Sequence, residues 1–201
     1  MKRIRTGDIV KIPLWGSFGY AYARYIDISK FPSVSYPSLI EVYEYWTKTQ
    51  NFEFDHLIKS NFLVQPILVL GINPTLRNGF WEIVKRTDMN IAAIELPHFR
   101  SHEPRWDVEE NAKEWCYIRD CDSTNRVKTS YDNVKHLESG GAKGTGNIEI
   151  YLTMQVMKKE EINIEDHFDL NDETFRYQYN VAMKSPLVSE IPLELYGRAK
   201  Q

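Results

Sequence analysis

The sequence predicts an α+β fold, predominantly antiparallel β, built as a strongly bent sheet or a partly open small barrel with a few short helices. Three observations carry this. The stretch Gln65 to Arg86 holds two apolar runs, Ile67–Leu70 and Phe80–Val84, punctuated by Asn73-Pro74 and Asn78-Gly79. The first thirty residues read as two strands meeting at Trp15-Gly16-Ser17. The aromatic load, 12 Tyr, 9 Phe and 5 Trp, suits rings packed across strands. If the two runs of the 65–86 stretch pair, a long loop from Gly71 to Gly79 joins them. They are then expected at the centre of the sheet, with both faces at least half covered.

A chain of 201 residues is one large domain or two small ones. It should bury roughly 70% of its unfolded surface, so it needs no disulfide or metal to hold it. The expectation is a single domain over 1–201. A flexible Gly-rich loop at 139–147 could separate an N-terminal sheet region from a C-terminal extension.

Along the chain, Thr6-Gly7-Asp8 is an opening turn. Ile9, Val10, Ile12 and Leu14 mark a first strand. Phe18 to Ile28 is a second, with Tyr20, Tyr22, Arg24 and Ile26 on one face. Gly19, Ala21 and Ala23 on the other face are small enough for a helix or sheet to approach closely. Leu39 to Trp46 fits either period, and its β-branched and aromatic composition favours strand. Phe54 to Ser60 is a short helix candidate. Asn90 to Pro97 reads as an edge segment and Phe99 to Arg105 as a polar stretch. Trp106 to Ile118 holds a helical turn, then a strand, and 120–129 a hydrophilic turn region.

Ser130 to Leu137 reads as a short helix with Ser130 at its N-cap and Val134 and Leu137 inward. Asn147 to Lys158 alternates Ile148, Ile150, Leu152, Met154 and Val156 against Glu149, Tyr151, Thr153 and Gln155. That period of two predicts a strand and opposes a single helix. Lys158 to Glu173 is a charged segment with 7 acidic and 2 basic residues. Phe175 to Met183 alternates weakly. The Pro-punctuated stretch 186–195 is expected to lie against the body.

Charge and motifs exclude several functions. Residues 1–100 carry 12 basic and 9 acidic side chains, +3; residues 101–201 carry 13 and 19, −6, which sums to the net −3. No basic stripe marks a nucleic-acid footprint. The interrupted segment 1–30 gives no signal peptide, and no run is long enough to cross a membrane. Cys116 and Cys121 are spaced C-x4-C with no second pair, which is not a zinc pattern. They could pair or stay free. The chain is expected to be a reduced, cytoplasmic protein.

The Gly-rich segment 140–147 lacks the Lys-Ser/Thr placement of a phosphate loop. His98 and His102 read as surface loop residues rather than metal ligands, and Cys116 as buried packing. Glu41 and Glu44 fall on opposite sides of a strand and cannot work as paired carboxylates. No nucleophile elbow is present. Neither an enzyme nor a cofactor is expected.

The motifs R-x-R-x-G-D-I-V-K-I-P-L (Arg3 to Leu14), G-Y-A-Y-A-R-Y (Gly19 to Tyr25) and S-L-I-E-V-Y-E-Y (Ser38 to Tyr45) come in a telling order. They are followed by Pro66-Ile67-Leu68-Val69, by Gly79 to Val84, and by Leu96-Pro97-His98-Phe99. In this they resemble the immunity protein 26 family of bacterial polymorphic toxin systems, over about residues 3–157 and most clearly 3–100. The resemblance implies a cytoplasmic antidote that binds a cognate toxin and has no catalytic set. It also implies structural roles: Gly7 and Asp8 in the opening turn, Trp81 anchoring a central strand, Leu96 and Pro97 ending an edge.

A toxin domain of basic charge would be met by acidic residues of 103–114 or 160–173. The candidate contact residues are Trp15, Trp106, Asp107, Glu109, Glu110, Glu160, Glu161, Glu165, Asp166 and Asp169. The alternative class is a small ligand- or peptide-binding regulatory module without catalysis.

Overall fold

A computed structural model describes residues 3–90, 92, 94–105 and 108–200. The opening turn is set by Gly7, whose backbone is left-handed (φ +91°). A side chain there would meet the Thr87 carbonyl oxygen at 2.7 Å, so only glycine fits. Asp8 is fully buried and accepts from the Arg5 backbone N–H (2.9 Å) and Arg86 Nη1 (3.0 Å).

From that turn run β1 (Ile9–Leu14), β2 (Gly19–Asp27) and β3 (Ser38–Thr47), an antiparallel meander with a bulge between β2 and β3 where the register slips. A short helix α1 (Phe54–Leu57) follows, then β4 (Ile67–Leu70), helix α2 (Ile72–Arg77) and β5 (Glu82–Lys85).

The sheet order is β5-β1-β2-β3-β4-β9, where β9 (Lys143–Gly144) adds parallel to β4. The two runs of the 65–86 stretch therefore do not pair and are not central. β5 is an edge strand beside β1, and β4 lies towards the other side. Helix α2 occupies what reads in sequence as a loop. Sheet order is set by long-range pairing, which local composition does not encode.

A second antiparallel sheet is β6 (Phe99–Glu103), β7 (Glu114–Ile118) and β8 (Arg126–Thr129). Neither sheet closes into a barrel: each is open, with distinct edge strands. The polar stretch after Pro97 is thus a strand, and the hydrophilic region 120–129 ends in one, where the sequence suggests loop and turn. Asn90 to Pro97, in its described residues, forms no strand. His102 consequently sits on a strand. His98 is half-buried, stacked on Tyr117 at 4.9 Å.

The largest departure is α3 (Thr145–Lys159), a helix where alternation predicts a strand. Both alternating sets are buried in it, Tyr151, Thr153 and Gln155 as well as Ile150, Leu152 and Met154. A helix buried nearly all round has no polar stripe, so the period of 3.6 never shows. α3 lies over Ala21 and Ala23 of β2 with Val10, Ile12, Ile40 and Val42, as the small residues of that face anticipate.

α4 (Glu173–Lys184), also unforeseen, packs against α3. On the opposite face of the large sheet, Ile26, Leu39 and Leu68 pack on Phe99 and Ile118 of the second sheet. Beside them Ile9, Tyr22 and Tyr43 pack around Leu57. Cys116 and Cys121 are buried and free, and burial with the nearby Asp120 charge pushes the Cys121 thiol up to about 12.

Trp81 is buried just ahead of β5, so it anchors an edge rather than a centre. Its Nε1 donates to Glu149 Oε1 on α3 at 2.7 Å. Burial raises the Glu149 pKa, and the Trp81 hydrogen bond offsets only part of that. A carboxyl with a raised folded pKa contributes stability at acid pH that is lost as pH rises through that pKa. Glu149→Gln keeps an acceptor for Trp81 without a charge. It is therefore expected to melt at or above the parent at pH 7, with the advantage gone by about pH 4. Thermal melts at the two pH values check this, and a variant clearly less stable at pH 7 would contradict it.

The segment after α4 lies against the body, as its prolines suggest. The Val188 N–H donates to the Leu63 carbonyl (3.0 Å) and the Gly197 N–H to Gln65 Oε1 (2.6 Å). The Gly197 carbonyl in turn accepts from the His98 N–H (2.9 Å).

Candidate partner-binding surface

Between β1 and β2 the chain makes a 3-10 turn, Trp15–Ser17. The Trp15 backbone N–H donates to Thr153 Oγ1 at 2.7 Å, which fixes the turn on α3. The indole is 46% exposed and meets Phe175 edge-on, ring centroids 5.5 Å apart. Phe175 meets Phe168 at 5.2 Å, and Phe18 meets His167 at 5.1 Å. These rings join the turn to the segment between α3 and α4. Isolated in sequence, Trp15 reads as an odd aromatic; in space it belongs to a cluster.

Phe175 is presented by the start of α4, where Asp172 is the N-cap. Its Oδ1 accepts from the backbone N–H groups of Thr174 (2.8 Å) and Phe175 (3.1 Å). Asp172→Ala is expected to cost about 1 kcal/mol. At this size that is about 2–4 °C in melting temperature, measurable together with the urea midpoint.

The same segment carries the acidic residues. Glu160, Glu161, Glu165, Asp166 and Asp169 are exposed, and among the described residues none forms an ion pair. Glu165 accepts from Tyr179 Oη (3.0 Å); Asp169 accepts from the Asn171 backbone N–H (3.0 Å) and Nδ2 (2.8 Å). The two lysines that precede them point elsewhere: Lys159 pairs with Glu44 (2.7 Å) and Lys158 with Glu190 (3.2 Å). Arg176 on α4 is exposed and pairs with none of them.

The other acidic stretch differs. Trp106 and Asp107 lie outside the described residues. Glu109 pairs with Arg100 Nε (3.0 Å), and Glu110 with Lys184. Glu103 pairs with Arg126 (3.1 Å), and Glu114 with Lys128 (2.7 Å). Arg100 is 3% exposed: burial opposes its charge, but Glu109 and Glu138 outweigh burial and leave it more basic than usual. The hydrogen bond from Lys184 holds Glu110 below the usual carboxylate range. The structure links Trp15, through Phe175, to Phe168 in the segment that carries the 160–173 acids. It gives Glu109 and Glu110 partners inside the fold.

Several clefts open on the surface of the described residues. One of about 560 Å³ runs along β5. One of about 380 Å³ lies at the end of α4. One of about 340 Å³ holds Arg24 and Glu41 with Tyr196. In the last, Arg24 Nε donates to Glu41 Oε2 at 2.9 Å and Tyr196 Oη lies 3.4 Å from Glu41 Oε1. These groups satisfy one another and align no nucleophile with a base. No group of three or more His, Cys, Asp or Glu suited to a metal occurs among the described residues. No described helix is long and apolar enough to cross a membrane.

A mixed α+β scaffold of two open sheets, with an aromatic cluster tied to a segment whose carboxylates have no ion-pair partner among the described residues, is the class of protein these features define. Residues 5–107, just over half of the chain, match the family model described as Immunity protein 26, and the chain belongs to that family. The match ends at 107, short of the 157 that the sequence resemblance reaches. Strands β1–β5, the opening turn and β6 lie inside it; α3, α4 and the acidic segment lie beyond. No curated protein and no solved structure matches the chain.

Proposed function

We propose that this protein is an immunity protein that binds a cognate bacterial toxin domain in the cytoplasm and blocks it without catalysis. The observation that carries this reading is the match of residues 5–107 to the Immunity protein 26 family. The surface chemistry supports a protein partner. Exposed carboxylates with no internal cation create a negative field that draws a basic domain in. An exposed indole beside Phe175 offers an aromatic anchor of the kind that dominates binding energy.

In this reading Trp15, Glu160, Glu161, Glu165, Asp166 and Asp169 are the contact residues. Glu109 and Glu110, already paired with Arg100 and Lys184, are not among them. The test is co-expression with the toxin encoded beside this gene. Survival of the host and co-purification of the two chains are expected. Death of cells that make both folded proteins would overturn the reading.

A further inference from the structure

The cleft of about 380 Å³ at the end of α4 is walled by Lys135, Lys158, Lys184 and Lys200, with His136. One carboxylate, Glu190, shares the lining. The four lysines come from separate places in the chain and meet at this one cleft. Lys158 is held by Glu190 (3.2 Å) and the Ser185 carbonyl (3.1 Å). Lys135 pairs with Asp132 (2.9 Å) and Lys184 with Glu110. The side chains of Asp132 and Glu110 are 79% and 61% exposed. Such pairs are worth about 0–1 kcal/mol, so both lysines can turn to a ligand at little cost. Lys200 has no ion-pair partner among the described residues.

His136 supplies the second observation. It is 5% exposed, and its Nε2 lies 2.7 Å from the Arg198 carbonyl oxygen, which can only accept. The ring proton therefore sits on Nε2, and Nδ1 is buried with no partner. A buried polar atom left unpaired is costly; with the proton on Nε2 this one is an acceptor, so it meets an anion only when the ring takes up a second proton. Burial lowers the His136 pKa, and the positive charges of Lys200, Arg100 and Lys135 lower it further, against the Arg198 carbonyl. An anion in the cleft would reverse that field.

We propose that this cleft binds a small organic phosphate of mononucleotide size. The phosphate sits among the four ammonium groups, and the organic body lies against Met183, Pro192 and Leu195. Lysines are point-charge donors, and four around one cleft suit the multiple charge of a phosphate better than the single charge of a carboxylate. The volume lies within the range of small-molecule sites. The lining includes none of Glu160, Glu161, Glu165, Asp166 and Asp169, and the proposal does not depend on toxin binding.

The test is titration of the intact protein with the four ribonucleoside monophosphates, their nucleosides and inorganic phosphate at constant ionic strength. It is followed by calorimetry and by the His136 ring signals in NMR. At least one monophosphate is expected to bind at least about tenfold tighter than its nucleoside and than inorganic phosphate, and to raise the His136 pKa. Lys135→Gln with Lys200→Gln changes two lysines outside the core and should leave melting unchanged while weakening binding at least about tenfold. Four monophosphates that leave the His136 signals unmoved at millimolar concentration would overturn the proposal. So would nucleosides binding as tightly as their phosphates, or unchanged affinity in the double variant.

Discussion

Changing Glu165, Asp166 and Asp169 together to Gln, Asn and Asn is expected to slow capture of a basic toxin domain about ten- to a hundredfold at low salt. The substitutions are isosteric. The amide oxygen introduced at position 165 would still accept from Tyr179, and the one at position 169 from the Asn171 backbone, so the segment keeps its shape. What is lost is long-range attraction, which acts on encounter. The difference should therefore shrink as ionic strength rises and the Debye length falls to about 8 Å. Glu110→Gln is the matched control. It removes one charge rather than three and leaves the acidic segment intact, so association should slow far less than in the triple variant. Glu110→Gln with Lys184→Gln, which keeps the net charge, should change it little. Trp15→Ala should act on dissociation, because an anchor's contacts form after encounter. Stopped-flow association across a salt series separates these cases. A triple variant with unaltered rate and salt slope would remove the acidic segment from the interface.

Leu152→Ala is expected to cost about 3–4 kcal/mol in urea unfolding, since Leu152 is wholly buried in the core that α3 shares with the large sheet and α4. At about 2–4 °C per kcal/mol, the melting temperature should fall by roughly 6–16 °C. Tyr151→Ala makes the sharper experiment. In a strand, Tyr151 would point away from Leu152, and one of the two changes would be mild. In α3 both side chains are fully buried, and Tyr151 Oη donates to the buried carboxylate of Glu138. Large losses at both positions are the signature of the helix. A near-neutral Tyr151→Ala would contradict this packing.

The first three strands are legible because their β-branched and aromatic residues and the turn residues between them mark strand locally, although both faces of the sheet are covered. The small face of β2 signals a closely packed neighbour, without saying that it is a helix. α3 is illegible for the opposite reason: its surroundings bury Thr153 and Gln155 alongside the aliphatic residues, and no polar face remains to set the phase. Its length, beyond that of most strands, is the remaining cue. α4 is blurred by Gln178 turned inward and Tyr177 turned outward, although Asp172 before Thr174-Phe175 is a capping signal. β6 hides because Arg100 is buried in it, a burial made tolerable by a glutamate nine residues on. The acidic run 160–173 is legible as charge. Which acids stay unanswered is not, because Glu110 finds Lys184 from 74 residues away.

The segment after α4 reaches back to both sheets: to Gln65 from 132 residues downstream, and to His98 at the threshold of β6. Ties that span so much of the chain are slow to close, because the intervening polypeptide must first give up its freedom. While the ribosome is still at work, the β1–β3 meander exists without its covering helix or this clasp. Its apolar face is then open to mispairing with other nascent chains. The amount of folded protein is accordingly governed by maturation as well as by translation, and the proposed protection would begin only with finished molecules.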